Sequence, residues 1–452
     1  MDAHFPKPLM QEASRDSYSP VVAKRVERFT KKCRRALLLL RYRLTCYLLD
    51  HLWFLQHVSD FLRRRRPVFV LGKLVVVTRA REAREVLERF DDFTLGDIID
   101  PGMPWGTFLM TVDWRKQHAQ ERRWLEDAVR LPDDIEKVRA IVDARCQQIQ
   151  PAGRRLNVVT ELLEPVVVDI ARDYFGVPPL AGNPQRMALA MRDLAGIIMV
   201  NPPVGSAPWT RSRASIAGVT DLVLTELSHA GACSCADNLL TRLVQRLPLP
   251  DKPDWFDEDW IRRYLTGLIA TGGATIVRAG AGAIDRILEH PTALQEAQSV
   301  ARDLDQAIKR REQQRVDELR TRLRHFLYEA LRFRPMLPLL FRDAPRATVI
   351  AYGTKDARIV PAGAKVFAPP LAAMFDPEAV PDPERFDASR PFDQYLHFGF
   401  GPRHCFGRYI AETALLEVFR SLLLRPGLSR APGRDGRLTF DGPAAAGLVV
   451  TF

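Results

Sequence analysis

Along the chain the apolar positions fall into patterns that predict its elements. From Leu37 they recur at Leu40, Leu44, Leu48, Leu52, Leu55, Val58 and Leu62, in steps of three or four. That is one stripe along a helix. Arg41, Arg43 and Asp50 interrupt every 20-residue window there, so the stripe is no transmembrane span. After Pro67 come two short β-branched runs, Val68 to Val70 and Leu74 to Val77, parted by Gly72-Lys73. They predict a hairpin, with a helical run from Glu82 to Phe90 behind it. Residues 98–110 form an apolar loop punctuated by proline and glycine, of the kind that covers something. Helical patterns then dominate to about residue 330, broken at 201–208 and 247–254 by proline-rich stretches.

One long helical segment runs between Asp254 and His290 and holds Gly267, Gly272, Gly273, Gly280 and Gly282. Each interior glycine costs a helix about 0.5–1 kcal/mol relative to alanine. The cluster therefore needs a reason, either a flat ligand passing close by or another helix packing there. Residues 296–324 alternate in charge, as a solvated helix face does. Beyond residue 340 the pattern turns to short strands and turns. The expected class is mainly α with a minor β region.

Composition changes the picture mainly through where the charge lies. The 452 residues carry 66 Lys+Arg and 55 Asp+Glu, a net +11. Residues 1–66 hold 15 basic and 6 acidic side chains, so +9 of that charge precedes a nearly neutral body. This argues against a nucleic-acid binder, which keeps its positive potential on the folded domain. It predicts two parts, a basic amphipathic extension over 1–66 and a catalytic domain over 67–452. For the extension two readings stand. One is a helix lying on an anionic membrane through residues 24–66; the other, preferred, is a helix that packs its leucines on the body. Six cysteines are too few and too irregular for a disulfide framework, and Cys233-Ser-Cys235 has no second pair to complete a metal site. Residues 1–20 contain no apolar leader, so the expected location is cytoplasmic, with a membrane surface as the peripheral alternative.

The strongest chemical signal is Phe398-Gly-Phe-Gly401-Pro-Arg403-His-Cys405-Phe-Gly407, followed by a helical run from Arg408 to Leu423. One cysteine thus sits in a glycine-rich loop that opens a helix. Backbone N–H groups aimed at the sulfur, with the helix N-terminus, favour a thiolate. The glycines let the backbone pass close to a flat ligand, and Arg403 supplies a counter-charge for an acidic edge. These are the needs of a thiolate that anchors haem iron.

This loop resembles the haem-binding loop of the cytochrome P450 family. The resemblance runs from about residue 67 to the C-terminus and implies that family's mainly α fold enclosing one haem b, iron protoporphyrin IX. By the same resemblance Cys405 is the axial metal ligand, and Phe398, Arg403 and Gly407 are haem-loop residues. Glu329-Ala-Leu-Arg332 matches the Glu-x-x-Arg helix. Pro383-Glu-Arg385-Phe386 supplies the arginine expected to complete a buried Glu329–Arg332–Arg385 core, since buried charges need partners. His118 and Arg122, in a His-x-x-x-Arg pattern, and Arg342 fall where propionate-binding residues are expected.

The departure lies in the long helix expected on the distal face of the haem. The family usually shows Ala/Gly-Gly-x-Asp/Glu-Thr, whose acid and alcohol relay protons during oxygen activation. Here the run is Thr271-Gly-Gly-Ala274-Thr275, so the alcohol is kept and the acid position is alanine. Thr275 is expected to organise distal water, and Ala274 to widen the site. A peroxide needs fewer protons and no reductase, which suits this helix. Ser389-Arg-Pro-Phe-Asp-Gln-Tyr-Leu-His-Phe-Gly-Phe-Gly is also similar to the haem-thiolate half of fungal fatty-acid dioxygenase fusions, although their distal asparagine is missing among residues 270–276.

The expected activity is oxidation of a lipophilic, fatty-acyl type of molecule by monooxygenation, served by a ferredoxin/reductase redox partner. A reductase-independent hydroperoxide isomerase or peroxygenase is the second reading, and a haem sensor or carrier the third. The expected pocket wall combines residues 98–110, Ile197 to Val200 and Leu337 to Phe341.

Overall fold

A computed structural model describes residues 20–96, 105–149, 155–230 and 236–452. Cys233, Cys235 and positions 98–104 of the apolar loop lie outside them. The four cysteines described, Cys33, Cys46, Cys146 and Cys405, are all free.

The long helical segment is a 30-residue helix, Glu258–Ile287. Its start is built as helix starts require: the Asp257 side chain accepts from Trp260 N at 2.7 Å, and Glu258 and Asp259 occupy the first turn. Most of its faces are buried, and the larger hydrophobic core surrounds it. The glycines are explained chiefly by packing. A Cβ at Gly267 falls 2.4 Å from the Phe108 ring, at Gly273 2.5 Å from the Met191 sulfur, and at Gly280 2.6 Å from Leu163. Gly272 alone of the group has open space beside it.

The charged stretch after residue 290 is two helices, Pro291–Arg310 and Gln313–Phe333. Arg311, left-handed at φ 58°, ends the first of them. The second carries Glu329 and Arg332 into the interior. The predicted hairpin forms, pairing Val68–Leu71 with Leu74–Val77 in the register Val70↔Val75. Ala364–Phe367 adds parallel to its second strand, and Phe341–Ala344 pairs antiparallel beyond that. A second core joins this sheet to the helix Ala80–Glu88.

Two helices, α1 (Pro20–Asp50) and α2 (Leu52–Arg65), precede the sheet. The preferred reading of their leucine stripe holds for only part of it. Leu37, Leu40 and Leu44 are 67%, 63% and 54% exposed, whereas Leu49 and Leu52 are buried and Leu48, Leu55 and Leu62 half-buried, with Leu55 packed against the second core. Polar bonds add to this grip on the body. Arg278 of the long helix donates to Leu49 O at 3.0 Å and pairs with Asp50 at 3.2 Å. Arg63 leaves the predicted basic run and turns inward, donating to Thr78 O at 3.1 Å and Ala372 O at 2.7 Å.

Candidate active site

The cysteine loop is shaped by two left-handed glycines, Gly399 (φ 75°) and Gly401 (φ 71°). At Gly401 a side chain is excluded twice over, because a Cβ falls 2.9 Å from Glu88 Cα. The turn closes where Cys405 N donates to Phe398 O at 2.8 Å, and the helix Arg408–Leu423 begins three residues later. Cys405 shows its surface to a cavity and is otherwise enclosed by protein. Burial raises its thiol pKa; the Gly407 N–H and the charges of Arg122 and Arg408 act the other way. Left alone, this sulfur is a thiol, and a positive metal centre is what would take its proton's place.

Beneath the loop lies a fully buried ionic knot. Arg332 pairs with Glu329 through two bonds, Nη2 to Oε1 at 2.7 Å and Nε to Oε2 at 2.9 Å. The expected third member was Arg385, but its side chain is exposed. Arg390 takes that place, 5% exposed and 3.3 Å from Glu329 Oε1. Arg385 enters only through its carbonyl, which accepts from Arg332 at 3.1 Å and Arg390 at 3.2 Å. Tyr395 OH and Asp387 N both donate to Glu329 at 2.9 Å, so the carboxylate is saturated. The segment from Asp387 to Tyr395 that leads into the cysteine loop is thereby tied to the helix below it.

The cavity bounded by this loop and the long helix gives the centres of water-sized molecules about 330 Å³. Its wall includes His118, Arg122, Thr275, Arg342, Phe398, Arg403, Cys405 and Gly407, so these expected site residues surround one space. Of the expected pocket wall it receives Phe108, Leu109, Met110, Ile198, Leu337 and Leu340.

Its charge is unevenly placed. Arg403 pairs with Asp113 at 2.6 Å and lies over the Phe90 ring. Burial lowers its pKa to about 10, with Asp113 opposing. Arg342 donates to the Phe341 carbonyl at 2.9 Å and makes no ion pair among the described residues; burial and the Arg403 charge bring it to about 10. His118 is buried, and burial, then Arg403 and Arg122, pull its imidazole down to about 4. Arg122 donates to His404 O at 2.8 Å and pairs with Glu126. Cations so crowded at one cavity wall, with one of them lacking a carboxylate, suit an acidic ligand.

The long helix contributes Leu268, Ile269, Thr271, Gly272, Gly273, Thr275, Ile276 and Ala279 to the wall, none of them ionisable. Thr275 Oγ1 donates back to Thr271 O at 2.7 Å. Ala274 does not line the cavity. It packs among Ala195, Met199 and Ala444, so the expectation that it widens the site is corrected: its position on the helix turns it the other way.

Sequence reasoning missed Arg390, Asp113 and Met191. Arg390 was quoted within Ser389-Arg-Pro, but one arginine among several gives no sign that it is the buried one. Asp113 also accepts from Leu95 N and Gly96 N at 2.8 Å, a link that only the fold creates.

A haem fits these residues. A Cβ at either Gly272 or Gly407, both on the wall, meets nothing within 4 Å, which leaves room for a flat group. The sulfur faces the same space, and the cations suit two carboxylates at its edge.

Comparison with known proteins agrees. Residues 237–450 match the Cytochrome P450 family. Over 101 residues the chain is 40% identical to a "Bifunctional dioxygenase (DOX)-epoxy alcohol synthase (EAS)" of Fusarium oxysporum (strain Fo5176), covering 22% of this chain and 8% of that protein. It is 36% identical over 129 residues to "Psi-producing oxygenase A" of Emericella nidulans, covering 28% and 12%. With "Linoleate diol synthase" of Gaeumannomyces graminis it shares 40% over 76 residues, 17% and 6%. The matched stretches are thus a small part of these long relatives.

Among solved structures, a mutant of P450 EryK in complex with erythromycin B superposes with a TM-score of 0.70 at 21% identity, over 89% of this chain and 97% of that one. P450BioI in complex with a hexadec-9Z-enoic acid ligated acyl carrier protein gives 0.68 at 17%, over 90% and 100%. The fold is that of the cytochromes P450.

Proposed function

From the match of residues 237–450 to the Cytochrome P450 family and the shared fold, we propose that this chain is a haem-thiolate oxidoreductase of that family acting on fatty-acyl hydroperoxides. It would rearrange them, or use them as oxygen donors, without a reductase. One observation carries the choice of oxidant: the distal helix offers the cavity no ionisable side chain.

In this reading Cys405 holds the iron of haem b, and His118, Arg342 and Arg403, with Arg122 beside them, hold its carboxylates. The haem, when bound, supplies the redox chemistry that breaks and remakes bonds to oxygen. The chain's own contribution on the distal side is shape and exclusion of water. Leu268, Ile269, Ile276 and Ile198 make that space apolar, which suits an acyl chain and offers it few polar orienters. Thr275 has committed its hydroxyl proton to Thr271 O. It therefore presents lone pairs to the cavity, able to accept from the O–H of a hydroperoxide and to hold that group in place. It has no acid beside it from which to pass a further proton, because Ala274 points into the packing behind. A hydroperoxide brings its own proton and its own O–O bond, so nothing further need be delivered.

The substrate class draws support from two sources. The apolar wall is one, and the names of the relatives, an epoxy alcohol synthase and a linoleate diol synthase, are the other. Monooxygenation with a ferredoxin and reductase is the second reading, favoured by the retained alcohol at Thr275.

The test is to give the purified haem protein a linoleate hydroperoxide with no reductase present. Consumption with formation of an epoxy alcohol or diol is expected. If the hydroperoxide persists while linoleate is oxidised only when ferredoxin, reductase and NADPH are supplied, the second reading replaces the first. No product under either condition, with normal haem content, leaves a haem carrier or sensor.

A further inference from the structure

A row of large apolar side chains faces outward on α1. Phe29, Leu37, Leu40, Leu44 and Tyr47 are each more than half exposed, and their spacing sets them on one side of the helix. On α2, Trp53, Phe54 and Phe61 are exposed as well. Soluble monomers seldom leave so many large apolar side chains together in water. Nor is this an element awaiting the body, since the inner side is already locked. Arg278 holds Leu49 and Asp50, Arg63 bonds Thr78 and Ala372, and Leu49 and Leu52 are buried.

The neighbours of that face choose its occupant. Arg41 and Arg43 on α1 and Arg64 to Arg66 at the end of α2 are exposed, and +9 of the chain's charge lies within the first 66 residues. A second copy of this chain would bring an equally basic face to meet the first, a repulsive pairing. An anionic surface with an apolar interior satisfies both features at once. Arginines reach the headgroups, leucines and phenylalanines enter the acyl boundary, and Trp53 and Tyr47 suit the interface between.

We propose that α1 and α2 form an interfacial anchor that lies on an anionic phospholipid bilayer. Its place on the molecule gives the anchor a use. Tyr42 of α1 lies against Gly196, whose helix Pro184–Val200 contributes Met191 and Ile198 to the cavity wall. The bilayer would then adjoin the helix that borders the substrate space.

The experiment is sedimentation of the full-length haem protein with vesicles of phosphatidylcholine alone and of phosphatidylcholine mixed with phosphatidylserine. Binding to the anionic vesicles is expected to be at least about tenfold tighter, because the exposed arginines are drawn to the anionic headgroups, and to weaken as salt rises. Arg64→Glu with Arg66→Glu, both at solvent-facing positions, should lower that affinity at least about tenfold while the haem spectrum stays unchanged. Leu40→Ser with Leu44→Ser should weaken binding at high salt as well. Equal affinity for both vesicle types, or no binding to either, overturns the proposal. So does a concentration-dependent dimer that Leu40→Ser with Leu44→Ser dissociates, if vesicles are not bound.

Discussion

The two sides of the cavity are built on opposite plans. On the cysteine side polar groups are dense and paired: Glu329 alone engages Arg332, Arg390, Tyr395 and the Asp387 backbone. On the distal side the long helix presents aliphatic side chains, glycine and two threonines that bond back to their own helix. One side holds a sulfur in a fixed place; the other leaves a space defined by shape. The difference teaches where each property resides. On the proposed reading, holding the cofactor is a matter of charge and hydrogen bonding, and choice of reaction is a matter of which groups the distal wall lacks.

The sharpest way to break this division is at the sulfur. Cys405→Ala is expected to abolish the red-shifted Soret band of the ferrous–CO complex completely, while leaving the distal wall as it is. Persistence of the band means that another residue holds the iron.

Next in size is Glu329→Gln, which leaves two buried guanidinium groups without their carboxylate. Removing one partner from a buried ion pair costs about 3–5 kcal/mol. A large fall in the unfolding midpoint and loss of haem are expected. Arg390→Ala should be comparably harmful, and Arg385→Ala should change stability by less than about 0.5 kcal/mol, as at ordinary surface positions. Equal effects from the two arginines would return the third place in the knot to Arg385.

The smallest effect concerns His118. Its pKa is lowered in the folded chain from 6.5 to about 4, chiefly by burial. A depressed base favours the folded state while neutral, so its contribution is present above pH 6.5 and lost as the pH falls towards 4. The haem-free protein should therefore lose denaturant resistance across that window, and His118→Gln should flatten the dependence. An unchanged slope in the variant assigns the acid sensitivity to other groups.

The legibility of these regions in sequence follows the same division. The cysteine loop could be read because its glycines and cysteine stand at fixed offsets within ten residues, and the left-handed backbone at Gly399 and Gly401 calls for glycine. The long helix, the hairpin and the helices around them were readable from periodicity. The ionic knot was half readable: Glu329 and Arg332 are one helical turn apart, but their partner arrives from 61 residues beyond Glu329, and two arginines stood within reach of the part. Only burial distinguishes Arg390 from Arg385. The leucine stripe was readable in part: its second half packs on the body, but periodicity shows that a helix has an apolar face, not how much of it the protein covers. Ala274 misled for a related reason. A motif gives the order of residues along a helix, whereas 100° per residue decides which of two neighbours sees the cavity.

Ala274 is enclosed by Ala195, Met199 and Ala444, and one helical turn on stands Arg278, already held by Asp50 and the carbonyls of Leu49, Met336 and Pro443. An acid placed at position 274 would find apolar neighbours and an arginine engaged elsewhere. Accommodating it would call for Asp50 to release Arg278, or for the surrounding side chains to shrink first. Substitutions made in the other order would pass through a less stable protein. Position 274 is thus closed to an acid by its surroundings: a carboxylate there would be buried with no partner for its charge.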